Sequence, residues 1–239
     1  MLVEVAAVQG NRLINALPDK ERTRLLNQCE RVDLVFEYTL SESDQALEYV
    51  YLPETCIIAL VSSLAGHKPL GITLIGNETM LGLLLVMGDE VLGDEVLPLH
   101  GAMIQNSGTA WRMEVSQFRQ QLKASPHLLL SLQYALYRLI GQMSQSLACA
   151  HFHQIVPRLA RWLLMTQDRA YSDHFHLTHK LLAGILGVRR SGITIAAGVL
   201  QHQQLISYHR GDITVLDRPG LEAAACECYG TIQTRLQHH

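Results

Sequence analysis

The chain has 239 residues, 48% of them hydrophobic and 17% charged. That is enough apolar material for one large packed domain or two modest ones, and it excludes a disordered polypeptide. Apolar runs fall short of the ~20 residues that span a bilayer, and Glu4 interrupts the basic-then-apolar order of a secretory leader, so a cytoplasmic protein is expected. The five cysteines (Cys29, Cys56, Cys149, Cys226 and Cys228) are odd in number and mostly scattered, which favours reduced thiols over a disulfide framework.

In chain order, residues 11–30 carry Leu13, Leu17, Leu25 and Leu26 on one side of a helix broken at Pro18. From Val32 to Val115 the pattern changes. Apolar or β-branched runs at Leu47–Leu52, Cys56–Val61, Gly71–Ile75, Gly101–Ile104 and Ala110–Val115 alternate with turn signals at Pro53, Gly66, Gly76-Asn77 and Asn106-Ser107-Gly108. Short strands at regular spacing predict an antiparallel β-roll. Met80 to Met87 reads equally as a short helix or a buried strand. Ser116 is placed to cap a helix over Gln117–Lys123. Ser125-Pro126 then opens a long helix to His153 or Gln154, with serine at the cap and proline at the first helical position. Leu128, Leu132, Ala135, Leu136, Leu139, Met143, Leu147 and Ala150 recur at three- and four-residue steps along it. That stripe, sustained for about four heptads, favours a two-fold coiled-coil seam over packing within the chain.

Pro157 starts the next helix, Arg158–Arg169, and a domain boundary is expected near 151–157. The expected division is a sensor domain over 1–125, a dimerisation helix and hinge over 126–156, and a third unit over 157–239. In this last unit Leu177 to Thr194 reads as two helices about a tight turn. Ala183 permits close approach, Gly187 can adopt a left-handed backbone, and Ile193 fills the angle. Thr178 is a plausible N-cap, with Leu177 and Leu182 as a hydrophobic staple. The second helix should run from about Arg190 to Gln203 with Ile193, Ala196, Ala197 and Leu200 inward. A β-hairpin follows, Leu205–Tyr208 and Ile213–Leu216 about Arg210-Gly211. A last helix is expected from Pro219 to about Tyr229, capped by Asp217.

Helix-turn-helix plus wing points to double-stranded DNA. Arg190, Ser191, Gly192 and Thr194 open the second helix, where Arg190 is suited to guanine O6/N7 and Ser191 or Thr194 to a base edge or phosphate. Arg189, Thr178 and His179 suit phosphate, and Arg210 at the wing tip suits phosphate or the minor groove. Charge supports this locally. Residues 32–111 hold eleven acidic side chains and only Lys68 as a base, whereas 151–239 hold nine Lys+Arg, six acidic residues and nine of the twelve histidines.

Over nearly its whole length the sequence resembles the Crp/Fnr superfamily of transcription regulators. The resemblance is strongest at Leu177-Thr178-His179, Leu186–Ser191, Gly198–Gln201, Leu205-Ile206 and Leu216–Tyr229. It implies an α+β fold: an N-terminal roll (a double-stranded β-helix like cyclic-nucleotide-binding domains), a long dimerisation helix and a winged helix-turn-helix. It also implies a homodimer joined through residues 126–154, a palindromic operator, and RNA polymerase as a further partner. Two departures matter. Where many members carry a glutamate after the opening arginine and a second arginine four residues on, this chain has Ser191 and Ile195. The roll has no arginine from Val32 to Trp111, and the stretch matching the phosphate-binding turn reads Gly82-Leu83-Leu84-Leu85. A cyclic nucleotide needs a cation for its phosphate, so cyclic AMP is not expected to bind and the effector is left unassigned. The readings that follow are an operator-binding regulator with an atypical or absent effector, a sensor of haem, gas or a neutral metabolite on the same fold, and a protein-interaction module using the winged helix without DNA.

No enzyme is expected. A cupin-type metal site needs paired histidines on facing strands, and the roll has only His67 and His100. A cysteine-ligated iron–sulfur centre is disfavoured because Cys29 alone precedes Cys56. His151/His153 and His174/His176/His179 have metal-like spacing but fall at a hinge and in a loop. Cys226 and Cys228, two apart on the expected last helix, would point to different faces and chelate poorly, so no metal site is assigned.

Overall fold

The computed structural model describes residues 10–231 except 64, 67, 68 and 94; His67 and Lys68 lie outside the described residues. The chain forms two compact units, 1–58 with 75–136 and 59–74 with 137–239. The division falls inside the long helix, between Leu136 and Tyr137, rather than at 125/126 or 156/157.

In the first unit the expected 11–30 helix is two short ones, α1 (Arg12–Asn15) and α2 (Asp19–Leu26). Asn11 caps α1 by accepting from the Leu13 and Ile14 amides, while its amide group donates to the Pro53 and Thr79 carbonyls. Cap and tether in one buried side chain fix where α1 starts, and Pro18, with no N–H and extended ψ, separates it from α2. The roll contains β1 (Glu30–Leu34), β2 (Thr39–Ser41), β3 (Tyr49–Pro53), β4 (Ile57–Ser62), β5 (Leu70–Ile75), β6 (Gly101–Asn106) and β7 (Gly108–Glu114), in sheets ordered β1-β7-β3 and β2-β6-β4-β5, with residues 59–74 of β4 and β5 counted in the second unit. β1 and β2 escape the sequence pattern because they are polar edge strands: of β1 only Leu34 is buried. Their chemistry is in pairing, with Glu30 to Leu34 antiparallel to Arg112 to Gly108.

Met80 to Met87 is neither a helix nor a strand throughout. Leu81 bridges to Tyr51, Gly82 turns at φ +105°, and Leu83–Met87 is a 3-10 helix followed by α3 (Asp89–Leu92). α4 spans Val115–Ala124 with Glu114 at its start and no side-chain cap, so Ser116 lies inside it rather than capping it. Ser125 does cap the long helix α5 (Pro126–Phe152), accepting from the Leu128 amide at 3.1 Å.

α5 carries two stripes. Leu128, Leu132 and Ala135, expected in a seam, are buried within the chain. Leu130, Tyr137, Ile140 and Leu147 remain 56–75% exposed, at steps of seven, three and seven residues. Of the expected seam residues Leu147 and, three residues on, the exposed Ala150 fall on this outward side.

In the second unit α6 (Ile155–Ala170) follows α5, with Pro157 in its first turn, and buries Leu159, Trp162, Leu163 and Leu164. β8 (His174–His176), α7 (His179–Ile185), α8 (Arg190–His202), β9 (Ile206–His209), β10 (Asp212–Val215) and α9 (Arg218–Ala224) complete it. The wing is therefore three-stranded, ordered β8-β10-β9, and its first strand is made from residues read as a loop. Only Phe175 of β8 is buried, which is why no alternation announces it. α9 ends at Ala224, short of the expected Tyr229: Ala225 takes extended angles, φ −75° and ψ 159°, and turns the chain away before Cys226.

Candidate nucleic-acid interface

α7 and α8 bend by 108° about Gly187, whose φ of +65° is a left-handed conformation that glycine adopts without strain. Ala183, Ile193, Ala196, Ala197 and Leu200 are all buried, as the spacing required. Thr178 caps α7, its Oγ1 accepting from the Leu181 amide at 3.1 Å, and Leu177 and Leu182 on either side are buried. The Thr178 hydroxyl hydrogen is still available for a phosphate oxygen.

α8 begins at Arg190 with Arg189 at its N-cap position and no side-chain cap. Its first turn is thus an uncapped positive dipole end with two arginines beside it, an arrangement unfavourable to an isolated helix and suited to an anion. Arg189, Arg190, Ser191 and Thr194 are exposed on one outward face, continued by Ile195 (69% exposed), Gly198 and Val199. Gly192 does not join them. Its amide donates to the Arg189 carbonyl at 2.9 Å, and an added Cβ would come within 3.0 Å of Ile155 Cδ1, so it serves helix packing rather than the groove.

His179 also departs from its expected phosphate role. Its ring stacks on Tyr208 of β9 at 4.2 Å between centroids and 11° between planes. The Thr194 hydroxyl donates to the Arg190 carbonyl at 3.1 Å and lies 3.1 Å from His179 Nδ1. A hydroxyl has one hydrogen, so both contacts form together only in the tautomer in which Nδ1–H donates to Thr194. Nε2 is buried without a hydrogen-bond partner. Burial first, and then the charge of Arg190, push the His179 pKa down and keep the ring neutral. His179 therefore locks α7, α8 and the wing strand β9 together. Nothing in the sequence distinguishes such a histidine from a phosphate ligand, because Tyr208 is 29 positions away.

The wing tip reverses at Arg210 (φ +51°) and Gly211 (φ +98°), two consecutive left-handed residues of the kind that close tight hairpins. A side chain at Gly211 would also strike the His176 ring at 2.6 Å. Arg210 stands exposed at the tip. The three clustered histidines find separate partners: His174 Nδ1 with Thr214 Oγ1 at 3.2 Å, His176 Nδ1 with Asp212 at 2.9 Å, and His179 as above. They do not converge on one point. The hydrogen bond from His176 holds the Asp212 carboxyl below its ordinary range.

A further network anchors the last helix. Asp217 caps α9 by accepting from the Gly220 amide at 3.0 Å, and Arg218 reaches Asp168 at 2.7 Å, Gln167 at 2.9 Å and the Tyr229 hydroxyl at 2.7 Å. Tyr229 in turn donates to Asp168 at 3.0 Å. The run from Asp217 to Tyr229 is thereby tied to α6 on both sides of Ala225.

In the first unit, the corner where a nucleotide phosphate would sit is apolar. Leu83 and Leu85 are buried, and a Cβ on Gly82 would meet Val50 Cγ1 at 2.7 Å. The arginines at the edge of the roll are engaged, Arg31 with Glu54 at 2.7 Å and Arg112 with Glu30 at 2.7 Å.

The architecture is a two-sheet roll, a long helix and a winged helix-turn-helix whose second helix is basic and uncapped at its start. Residues 157–224 match the family model described as the Crp-like helix-turn-helix domain. The fold is of the Crp/Fnr type. FixK2 from Bradyrhizobium japonicum is similar at a TM-score of 0.67 and 13% identity, over 83% of this chain and 98% of that one. A CRP-family transcriptional regulator from Thermus thermophilus is similar at 0.64 and 16%, over 82% and 96%. CLP from Xanthomonas campestris, a c-di-GMP responsive global regulator, is similar at 0.65 and 11%, over 83% and 99%. The last two of these are described as regulators. No curated protein matches the sequence. Among the described residues no single helix is long and apolar enough to cross a membrane.

Proposed function

We propose that the chain is a sequence-specific transcription regulator that binds a palindromic operator as a homodimer and does not respond to cyclic AMP. The observation that carries this reading is the exposed pair Arg189 and Arg190 at the uncapped start of α8, with Thr178 and Arg210 presented from the same unit. Arg190 reads guanine. The Thr194 hydroxyl is occupied by Arg190 and His179, so its methyl, with Ile195, favours the thymine C5-methyl group at neighbouring pairs. Ser191 and Arg189 hold the backbone, and Arg210 the flanking phosphate or minor groove. Dimerisation is supported by the outward stripe of α5, Leu130, Tyr137, Ile140 and Leu147, whose seven-three-seven spacing is that of a coiled-coil seam. A dimer of this kind sets two recognition helices about 34 Å apart, one turn of DNA. A contact with RNA polymerase belongs to the same reading.

Selection of bound sites from a random DNA pool tests it. The wild-type protein is expected to enrich an inverted repeat with guanine in each half-site. Ile140→Glu combined with Leu147→Glu should sediment as a monomer and lose the repeat. A pool that stays unenriched, with binding insensitive to salt, would favour a protein-interaction role instead.

Calorimetric titration of the full-length protein with cyclic AMP is expected to give no saturable heat, because a monoanionic phosphate would face an apolar corner in a strongly acidic segment. Micromolar binding would overturn the effector reading.

A further inference from the structure

Outside the DNA-binding face, four side chains that the regulator reading leaves unused converge. Sγ of Cys149, Cys226 and Cys228 and a ring nitrogen of His153 all lie within 4.8 Å of one another. Two edges of this group are 3.5 Å for Cys149–Cys226 and 3.6 Å for Cys228 to His153 Nδ1. In a tetrahedral ion with metal–sulfur bonds of ~2.3 Å the sulfur–sulfur edge is about 3.8 Å. These two edges are already of the length a single coordination tetrahedron requires, the others need to shorten by no more than about 1 Å, and all four residues belong to the second unit.

Local structure produces the convergence. Cys149, in the last turn of α5, and His153, the first residue beyond it, are four residues apart, and the His153 amide still donates to the Cys149 carbonyl at 3.1 Å, which keeps them on one side. Cys226 and Cys228 are brought opposite them because Ala225 leaves the helical conformation. Asp217, Arg218 and Tyr229 hold the flanks of that turn to α6, so the site is organised by contacts that are not part of it.

We propose that Cys149, His153, Cys226 and Cys228 bind a single zinc-class thiophilic dication. Three thiolates and one imidazole are a soft donor set that selects zinc over magnesium, calcium or manganese. The span has room for one ion, not for an iron–sulfur cluster, whose sulfur ligands attach to different irons and stand further apart. The three cysteine residues are 1–7% exposed, as in closed sites without an open coordination position.

The surroundings fit a metal site at a second level. His153 presents Nδ1 to the group and places Nε2 3.1 Å from the Glu227 carboxylate, the carboxylate–histidine pairing that orients metal-binding imidazoles. Gln145 donates to Cys228 Sγ at 3.0 Å. Three thiolates with a dication leave one negative charge. Arg161, only 4% exposed, supplies a compensating positive charge that acts on Cys149. A cavity of about 140 Å³, lined by Leu70, Met143, Cys149, Arg158, Arg161 and Trp162, reaches Cys149 from the side.

The ion would join the end of α5 and the turn into α6 to the segment that follows α9. The test is metal analysis of the full-length protein purified with a phosphine reductant, followed by replacement with Co²⁺. One zinc per chain and a cobalt spectrum with thiolate charge-transfer bands and intense tetrahedral ligand-field bands are expected. Cys228→Ser should weaken zinc binding at least a hundredfold in competition with a chromophoric chelator, and Cys29→Ser should leave it unchanged. Glu227 is exposed, so Glu227→Gln keeps the fold and should weaken binding roughly 10–100-fold. Substoichiometric zinc after loading, a cobalt spectrum indifferent to Cys228→Ser and Glu227→Gln, or a Cys149–Cys226 disulfide as the sole product under reducing purification would overturn the assignment. These readouts involve no DNA, so the metal site and the regulator reading fail independently.

Discussion

Arg190→Ala is expected to reduce affinity for the selected operator by about 10–100-fold per half-site while leaving binding to unrelated DNA nearly unchanged. A bidentate arginine–guanine contact contributes ~1–3 kcal/mol of discrimination, and a symmetric dimer makes it twice. The loss should therefore approach 10²–10⁴ overall, on the order of the two contacts added together. The fold should not suffer. Arg190 is exposed and sits with Arg189 at the positive end of the α8 dipole, where a cation costs a few tenths of a kcal/mol. The variant should melt at the wild-type temperature or slightly above it. Titration of fluorescent operator and scrambled DNA at two salt concentrations, with a melting curve for each protein, reads all of these. Equal affinity of wild type and variant for the operator would remove Arg190 from recognition and with it the register proposed for α8.

Leu200→Ala on the same helix should do the opposite. Leu200 is fully buried in the second unit, on the face of α8 that also buries Ile193, Ala196 and Ala197. Truncating a buried leucine costs ~2–5 kcal/mol through lost transfer energy and the cavity left behind. Against a domain stability of about 5–15 kcal/mol this is a large fraction. The melting temperature should fall by on the order of 10–20 °C. DNA binding should be retained well below the new transition and disappear through it. Ile195→Ala, five residues away and 69% exposed, should move stability by no more than about 0.5 kcal/mol. Calorimetric melts of the three proteins separate a helix that recognises with one face from one that merely packs. If Leu200→Ala melted with the wild type, the placement of α8 against its unit would be wrong.

Much of this molecule is written locally in its sequence. The helix-turn-helix is legible because each constraint acts within a few residues: Gly187 for a left-handed turn, Ala183 for close approach, Ile193 for the angle, Thr178 for the cap. The same holds for Ser125-Pro126 at the start of α5, Asp217 at the start of α9 and the Arg210-Gly211 hairpin. Strands β3 to β7 are legible to within a few residues because each carries a short apolar run bounded by turn residues. β1, β2 and β8 are not, since an edge strand takes its order from a partner distant in sequence and needs no apolar alternation of its own. The α5 seam shows the limit of periodicity. Two stripes run along the same helix, and only burial distinguishes Leu128 and Leu132, turned into the chain, from Leu130, Tyr137, Ile140 and Leu147, turned out of it.

The sites divide in the same way. The exposed cations and Ser191 follow from position on a helix whose inward face is known. The neutral, stacked state of His179 depends on Tyr208, and the inward turn of Gly192 depends on Ile155. The winged helix-turn-helix, the capped long helix and the arginine-free roll can all be read from the residues alone, because caps, turns and helical periods are properties of neighbours along the chain. Which stripe of α5 faces outward, and where Cys226 and Cys228 lie, are set by three-dimensional packing. A single extended residue, Ala225, converts two cysteines that a continuous helix would have pointed apart into a group within 4.8 Å of Cys149 and His153. Cys149 and Cys226 are 77 positions apart, and no local pattern encodes a convergence over that distance.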